Sequence, residues 1–251
     1  MKSTTRKSIQ LYSLRTLPSI DAILTEVAAA GFKYVEPFGG QLGDPAELKT
    51  LLAKHKLTAP SVHIGMDAWR KDAAAASRLA KGLGVEFAFA PAPPPSERDM
   101  DIAGWKKFGK ELATIGKVAS GEGLKFGWHN HHWEYKPAAD GTRPIDVLFT
   151  EAPDLLWEAD FAWIVRGNAD PIAEIARYGS RLVAVHAKDL APVGQALDED
   201  GWADVGHGTM DWVKLNAAVA KTKCALFVAE HDKPSDGRRF AKRAFATLSK
   251  W

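Results

Sequence analysis

The chain of 251 residues is long enough for one barrel of alternating strands and helices or for two small domains. Its 46% hydrophobic and 25% charged residues are typical of a folded globular protein, which excludes disordered and collagen-like classes. The formal net charge is +2 and the basic residues are scattered, so the sequence indicates neither a nucleic acid nor a membrane surface as a partner.

Targeting signals and disulfides are not expected either. The basic start MKSTTRKS precedes no long apolar segment, and no run approaches the ~20 apolar residues that a membrane span needs. Cys224 is the only cysteine, so no disulfide can form within the chain. We therefore expect a cytoplasmic protein.

Short strand-like segments alternate with helical segments along the chain. The predicted strands cover residues 8–12, 34–36, 57–64, 85–90, 124–130, 155–160, 182–186 and 225–230. The predicted helices cover residues 21–31, 45–55, 66–82, 102–120 and 144–150, then a helix opening at Asp170-Pro171, residues 211–221 and a basic helix ending at Trp251. The proline-rich residues 91–99 and the polar residues 188–208 are predicted to be loops.

Eight such alternations in about 250 residues predict a single (β/α)₈ TIM barrel spanning residues 1–251. A doubly wound open sheet is the alternative fold. It would require a glycine fingerprint after its first strand, and SIQLYSLRT contains none.

Polar residues end most of the predicted strands, which is where a (β/α)₈ barrel carries its functional groups. They are Glu36, His63, His129 with His131, Asp160, His186 and Glu230. Carboxylates and imidazoles from neighbouring strands suit Mn²⁺, Mg²⁺, Co²⁺ or Zn²⁺, and the lack of cysteine ligands argues against a structural zinc site. We expect one divalent metal ion at the mouth of the barrel.

The stretch LKFGWHNHHWEY, residues 124–135, places three histidines around Asn130. Strand alternation sends His129 and His131 to one face, and Asn130 and His132 to the other. Neutral imidazole is the commonest transition-metal ligand, so one face is a candidate metal site. The alternative is an exposed loop with hydrogen-bonded histidines.

These strand ends resemble the xylose isomerase-like TIM barrel superfamily, which includes sugar phosphate isomerases and epimerases and the AP endonuclease family 2 domain. The resemblance covers roughly residues 8–248 and rests on HNH, GNADP, VHAKD, GHGTMDW and VAEHD. The usual superfamily ligands are Glu, Asp, His and Glu from strands five to eight, which implies Asp160, His186 and Glu230 here. Strand five departs from that pattern, because WHNHHWEY resembles a YHNH-type subgroup. The fourth ligand is therefore His129 or, next, His131, with Glu134 a weaker candidate.

The resemblance implies a metal-dependent isomerase or epimerase of a keto sugar or inosose. Such an enzyme abstracts a proton next to a metal-bound carbonyl and passes through an enediolate. Glu230 is the expected base. If His129 replaces a carboxylate, exchange between two carboxylates is disfavoured, and one-base isomerisation or elimination gains weight. Lys188 is placed to steady an oxyanion, although a solvated lysine is the alternative.

The expected partner is a small carbohydrate, with no nucleic acid or membrane. The candidates for binding it are Glu36, His63, Asn130, Trp163 and Arg166. An aromatic face can stack on a sugar, and Arg166 can contact an anionic or polyhydroxylated group. No glycine-rich phosphate cradle stands out after strands seven and eight, which favours a substrate without phosphate.

Three other functions stay open from the sequence. A metal-dependent lyase or dehydratase would act on a keto sugar, inosose or 3-keto-glycoside by enolisation and elimination. An abasic-site endonuclease would need more metal ligands and a basic groove. A non-catalytic sugar-binding barrel would lack the metal. The sequence is compatible with a homo-oligomer and does not specify one.

Overall fold

Eight parallel strands surround the centre of the fold in the computed structural model, which describes residues 5–251. They are β1 Arg6–Gln10, β2 Tyr34–Glu36, β3 Ser61–His63, β4 Phe87–Ala90, β5 Lys125–His129, β6 Leu156–Asp160, β7 Leu182–Ala187 and β10 Leu226–Ala229. A small antiparallel hairpin, β8 Asp189–Leu190 and β9 Trp202–Ala203, lies between β7 and β10 in the chain.

The eight strands form a nearly closed barrel. The hydrogen-bonded order is β2-β1-β10-β7-β6-β5-β4-β3, and isolated parallel bridges from Tyr34 to Thr58 and from Phe38 to His63 connect its two edges. The (β/α)₈ TIM barrel predicted from the alternation is therefore confirmed, and the open doubly wound sheet is not formed. The register pairs His129 with Glu158, and Asp160 with His186.

Helices follow the barrel strands, and acidic residues begin most of them. The helices are α1 Ile20–Ala30, α2 Pro45–Lys54, α3 Met66–Lys71, α4 Ala73–Leu83, α5 Ile102–Gly121, α6 Pro144–Glu151, α7 Phe161–Arg166, α8 Pro171–Tyr178, α9 Trp212–Val219 and α10 Gly237–Leu248. Asp170 caps α8 as predicted, because its carboxylate accepts a hydrogen bond from the Ile172 N–H.

Several predicted elements differ from the structure. The first strand covers Arg6–Gln10 instead of residues 8–12. Residues 188–208, predicted to be a loop, contain the hairpin of β8 and β9.

Two helices begin where none was predicted to begin. The single helix predicted over residues 66–82 is divided at Asp72, whose extended backbone and carboxylate cap α4 through the Ala75 N–H. Helix α7 follows β6 directly, and Asp160 caps it by accepting from the Trp163 N–H at 2.9 Å. Aspartate prefers the N-cap to the helix interior, which explains both helix starts.

Apolar side chains fill the barrel beneath its mouth. A small interior cluster contains Phe87, Phe89, Ala184, Leu226 and Val228. Strand alternation puts Ala184 on the face of His186, and Val228 on the face of Glu230. The polar strand ends therefore lie on top of an apolar plug, at the C-terminal end of the barrel. Among residues 5–251, no helix is both long enough and apolar enough to cross a bilayer.

Candidate metal centre

A cavity of about 580 Å³ opens at the C-terminal ends of the strands. Its wall combines imidazole, indole and carboxylate groups with one guanidinium: His63, His129, His131, Trp133, Trp163, Glu230, Asp232 and Arg98. Gln10 and Tyr12 line it from the end of β1. This is the end of the barrel at which sequence reasoning placed the site.

Four side chains meet at the floor of this cavity: His129 and Glu230 line it, and Asp160 and His186 are buried directly behind them. Each offers one atom that can bind a metal, and the four atoms all lie within 4.8 Å of one another. They come from β5, β6 and β7 and from the residue that follows β10. We call this set the four-ligand cluster. It contains the three positions that the resemblance implies, Asp160, His186 and Glu230, together with His129, the preferred candidate from strand five.

The other strand-five candidates lie outside the four-ligand cluster. Strand β5 ends at His129, and beyond it the His131 ring stacks on Trp133 with 4.4 Å between ring centroids. Glu134 points into the wall, where its carboxylate accepts hydrogen bonds from Trp128 Nε1 at 2.9 Å and the His131 N–H at 3.0 Å. The structure therefore does not bring His131 or Glu134 into the four-ligand cluster.

Two buried carboxylates lie behind the imidazoles of the cluster. Nδ1 of His129 is 3.1 Å from Glu158 Oε2, and Nε2 of His186 is 2.8 Å from Glu36 Oε1. If each nitrogen donates its proton to that carboxylate, His129 Nε2 and His186 Nδ1 carry the lone pairs. Carboxylates fix the tautomer of metal-binding histidines in this way. Burial, reinforced by the charge of His186, lowers the pKa of His129 to about 3, so His129 is the neutral imidazole that a metal requires.

The electrostatics of the cluster favour a cation. Glu36, Glu158, Asp160 and Glu230 are all buried, whereas Lys188 is the one buried lysine among residues 5–251. Burial raises the pKa of Asp160 to about 6, as expected for a carboxyl group in a negative, poorly solvated setting. Although burial lowers the pKa of His186, the charges of Glu158 and Glu230 outweigh it and raise that pKa well above the usual value.

Asp160 also keeps an acceptor free. The ammonium of Lys188 lies 3.0 Å from Asp160 Oδ2 and 2.9 Å from Glu230 Oε2, but it donates its hydrogen bonds to both oxygens of Asp232, each at 2.9 Å. Asp160 Oδ2 is therefore buried and ion-paired with Lys188, but it accepts no hydrogen bond among the described residues. A buried carboxylate oxygen without a hydrogen bond, beside two imidazoles and a second carboxylate, fits a divalent metal ion.

A second group of potential ligand atoms lies next to the first. His63, His129, Glu158 and His186 also have such atoms within 4.8 Å of one another. Glu158 Oε2 already accepts from His63 Nε2 at 2.5 Å and from His129 Nδ1, whereas Glu158 Oε1 is buried without a hydrogen-bond partner among the described residues. We prefer the four-ligand cluster because it combines two carboxylates with two imidazoles and contains the three positions that the resemblance implies.

Lys188 is fully buried, so the solvated alternative is excluded. Its ammonium lies 5.1 Å from the ring centre of Trp163 and 4.7 Å from that of Trp202. Burial lowers the pKa of Lys188, but the charges of Asp160, Asp232 and Glu230 more than compensate and raise it above the ordinary value. A permanent positive charge thus lies between the acidic members of the site.

The candidate substrate-binding residues separate into two sets. His63 and Trp163 line the cavity, as expected of residues that bind substrate. Glu36 lies behind the floor, where it accepts from Gln10 Nε2 at 2.9 Å and pairs with His186. Asn130 is also buried, and its Oδ1 accepts from Trp157 Nε1 at 2.8 Å. For Glu36 and Asn130 the role is corrected from binding substrate to holding the barrel wall.

Arg166 also lies away from the cavity. Its guanidinium pairs with the Asp200 carboxylate at 3.1 Å, donates to the Asp200 carbonyl and stacks 3.3 Å from the ring centre of Trp202. Arg166 therefore secures the loop that carries β8 and β9, and its assignment to substrate is corrected. The loop in turn places Trp202 against Trp163, with 4.6 Å between their ring centroids.

Sequence reasoning missed Gln10, Glu158, Asp232 and Arg98 as members of the site. Glu158 carried a signal, because alternation puts it on the same face of β6 as Asp160. Gln10 ends β1 but is neither acidic nor a histidine, and Asp232 follows Glu230 in a loop. Arg98 belongs to the proline-rich segment, which has no periodicity to follow.

Comparison with known proteins identifies relatives of this fold. The family model described as xylose isomerase-like TIM barrel matches residues 24–250. A sugar phosphate isomerase/epimerase from Parabacteroides distasonis is 20% identical with a TM-score of 0.80, and the match covers 98% of this chain and 94% of that one. The probable 3-DHS dehydratase AsbF from Bacillus anthracis is 14% identical with a TM-score of 0.77, covering 98% and 99%. The IolI protein with a bound zinc atom is 13% identical with a TM-score of 0.77, covering 98% and 97%. No curated protein sequence matches this chain.

Proposed function

Because the chain belongs to the xylose isomerase-like TIM barrel family, we propose that it is a divalent-metal-dependent isomerase or epimerase of a keto sugar or inosose. The observation that carries this proposal is the four-ligand cluster at the floor of the cavity, with all potential ligand atoms within 4.8 Å. A similar fold holds zinc in the IolI protein, and another belongs to a sugar phosphate isomerase/epimerase. We expect Mn²⁺, Co²⁺, Mg²⁺ or Zn²⁺ as the ion.

His129, Asp160, His186 and Glu230 are the residues that would hold the ion. When bound there, a divalent cation would polarise a ketone oxygen and so acidify the neighbouring C–H. Glu158 and Glu36 lie within hydrogen-bond distance of the outer ring nitrogens of His129 and His186 and would fix their tautomers. His129 is already neutral, whereas His186 would release a proton when a cation binds.

Glu230 is the base that moves the proton. Its carboxylate lines the cavity and contacts His186 Nδ1 at 2.8 Å and Lys188 Nζ at 2.9 Å. Burial raises its pKa, but the charges of Lys188 and His186 more than offset burial and hold the pKa well below the usual value. Glu230 is therefore ionised at neutral pH, which is the state in which it accepts a proton.

Proton transfer by one base fits the rest of the site. His129 stands in place of a carboxylate, so a second acidic base is missing from β5. A single Glu230 that removes a proton from one carbon and returns it to the neighbouring carbon would interconvert an aldose and a ketose. The indoles of Trp133 and Trp163 supply aromatic faces for a sugar, and a cavity of about 580 Å³ lies in the range of small-molecule sites.

Elimination is the second candidate reaction. It needs the same enolisation and the same single base, followed by loss of water or of a glycosidic group. The imidazole of His129 on β5 favours it over exchange between two carboxylates, and a similar fold belongs to a probable 3-DHS dehydratase. Substrate class and metal would be shared with the isomerase, so only the product separates the two.

Solvent deuterium exchange tests the proposal. The purified protein is incubated in D₂O with a panel of keto sugars and inososes, with Mn²⁺, Co²⁺, Mg²⁺ or Zn²⁺ or with a chelator, and NMR follows the protons beside the carbonyl. We expect metal-dependent exchange at one such position, lost in His186→Ala and retained in His207→Ala, because His207 is an exposed loop residue.

The products then assign the reaction class. An isomeric sugar supports the isomerase or epimerase, and a dehydrated product supports the lyase. Absence of exchange with every ion, or exchange that persists in chelator, would overturn the proposed metal-dependent enolisation. A non-catalytic binding barrel would then be the better account.

A further inference from the structure

One wall of the cavity has nitrogen atoms that lack acceptors in the protein. Nε of Arg98, Nε1 of Trp133 and Nε1 of Trp163 are buried and have no hydrogen-bond partner among the described residues. All three side chains line the cavity. Nδ1 of His131, between the two indoles in the same wall, is also without a partner. We call these four residues the donor wall.

Arg98 differs from the other basic groups near the site. Lys188 is paired with three carboxylates, and Arg166 is paired with Asp200. Within residues 5–251, the Arg98 guanidinium forms no ion pair within 4 Å and lies over the face of Trp133, 4.6 Å from the ring centre. An arginine without an acid, beside buried donors that lack acceptors, is complementary to an anionic ligand.

The donor wall stands apart from the four-ligand cluster. Arg98 stacks on Trp133, Trp133 on His131, and His131 meets the ring of His129, at successive separations of 4.6, 4.4 and 5.1 Å. Two aromatic rings thus lie between the guanidinium and the nearest cluster residue. A ligand whose carbonyl lies over the cluster would reach Arg98 with a group several bonds away.

We propose that the substrate is a keto sugar acid whose distal carboxylate binds the donor wall, with Arg98 as the residue that determines this specificity. This assignment rests on the proposed function, because that function places the substrate carbonyl over the four-ligand cluster. The wall supplies one positive charge together with neutral N–H groups, which matches the single charge of a carboxylate. A phosphate ester carries nearly two charges and is usually bound by several cations or by backbone N–H groups.

Three ligands that differ only at carbon 6 test this assignment. D-Fructuronate carries a carboxylate there, D-fructose a hydroxymethyl group and D-fructose 6-phosphate a phosphate. Their dissociation constants are measured by calorimetry and tryptophan fluorescence, with and without divalent metal, so the readout does not require turnover. We expect fructuronate to bind wild-type protein at least about tenfold more tightly than fructose, since hydrogen bonds to charged groups contribute this much.

Substitution of Arg98 then shows whether the preference comes from the wall. Arg98→Gln is expected to reduce the advantage of fructuronate over fructose to about twofold or less. Arg78→Gln is the matched control because it removes the same charge at a distance from the cavity. Arg78 lies on α4 and pairs with Glu122 at 3.0 Å. Circular dichroism and the Tm verify that both variants are folded.

The outcomes separate this inference from the proposed function. If wild-type protein does not prefer fructuronate over fructose, or if Arg98→Gln keeps the preference, the inference is overturned. If the Arg98-dependent preference is larger for fructose 6-phosphate than for fructuronate, the assignment of a carboxylate is overturned and the wall binds a phosphate instead. Arg98-dependent binding of the acid without any metal-dependent exchange sustains the anion site and rejects the proposed enolisation. If neutral keto sugars exchange equally fast in wild type and Arg98→Gln, the proposed enolisation is sustained and the anion site is rejected.

Discussion

Glu158→Gln tests how the two imidazole ligands are held. Glu158 Oε2 lies 3.1 Å from His129 Nδ1, 2.5 Å from His63 Nε2 and 3.2 Å from His186 Nε2. Burial raises the pKa of Glu158, but its histidine neighbours lower it well below the usual value, so the carboxylate is ionised. Glutamine keeps the shape of this side chain and removes its charge.

The expected loss is one of metal affinity. Removing a carboxylate that is hydrogen-bonded to a metal-binding histidine typically lowers the affinity for the metal by about 10- to 100-fold, or about 1.4–2.7 kcal/mol. Because Glu158 contacts three imidazoles, including two of the four-ligand cluster, we expect the upper part of that range, roughly 30- to 100-fold.

Competition with a chromophoric chelator measures the affinity for Zn²⁺ directly. Glu174→Gln is the matched control, because Glu174 is also buried and pairs with Arg143 at 2.7 Å on the outer side of the barrel. Its affinity should stay within about twofold of wild type, since it contacts no cluster residue. Unchanged affinity in Glu158→Gln, or an equal fall in Glu174→Gln, would refute the tautomer argument.

Further predictions concern catalysis, pH and packing. Glu230→Gln should slow deuterium exchange by about 10²- to 10⁴-fold with an unchanged circular dichroism spectrum, and near-normal exchange would remove Glu230 as the base. Burial raises the pKa of Glu134 from 4.5 to about 7, so its contribution to stability is complete below pH 4.5 and is lost as the pH rises through 7. Between pH 5 and pH 8 this group should lower the free energy of unfolding in urea by at most about 3 kcal/mol, and Glu134→Gln should lose less stability than wild type over that interval. An equal loss of stability in the two proteins would contradict this. Gly127→Ala should destabilise the barrel by about 1–3 kcal/mol, because a Cβ there would lie 2.7 Å from Phe89 and 2.9 Å from the Leu156 carbonyl, and an unchanged Tm would disprove the close packing.

The barrel and the floor of its site could be predicted because both depend on local patterns. Most barrel strands end near a polar residue, and period-two alternation is enough to orient Asp160, His186 and Glu230 toward the mouth. The choice of His129 over His131 followed from strand position alone. The structure agrees with that choice in geometry because β5 ends at His129.

Depth within the barrel could not be predicted in the same way. Glu36 ends β2 as His129 ends β5, yet Glu36 lies behind the floor, because strand stagger decides how far each end extends into the mouth. Asn130 follows β5 on the face opposite His129, as strand alternation indicates. Arg166 was assigned to the cavity from its place after β6, but α7 carries it toward Asp200. Arg98 lies in a loop whose course depends on tertiary contacts, which a single sequence does not encode as a pattern. Cytoplasmic location and homo-oligomeric assembly stay predictions.

Anomalous X-ray diffraction from crystals grown with Zn²⁺ tests the central claim most directly. The account predicts one strong anomalous peak about 2.0–2.2 Å from ligand atoms of His129, Asp160, His186 and Glu230. A crystal of Asp160→Asn should show a weaker peak or none, because one of the two anionic ligands is gone. A peak within the neighbouring set of His63, His129, Glu158 and His186, or no peak on the barrel floor, would contradict the four-ligand cluster as the metal site.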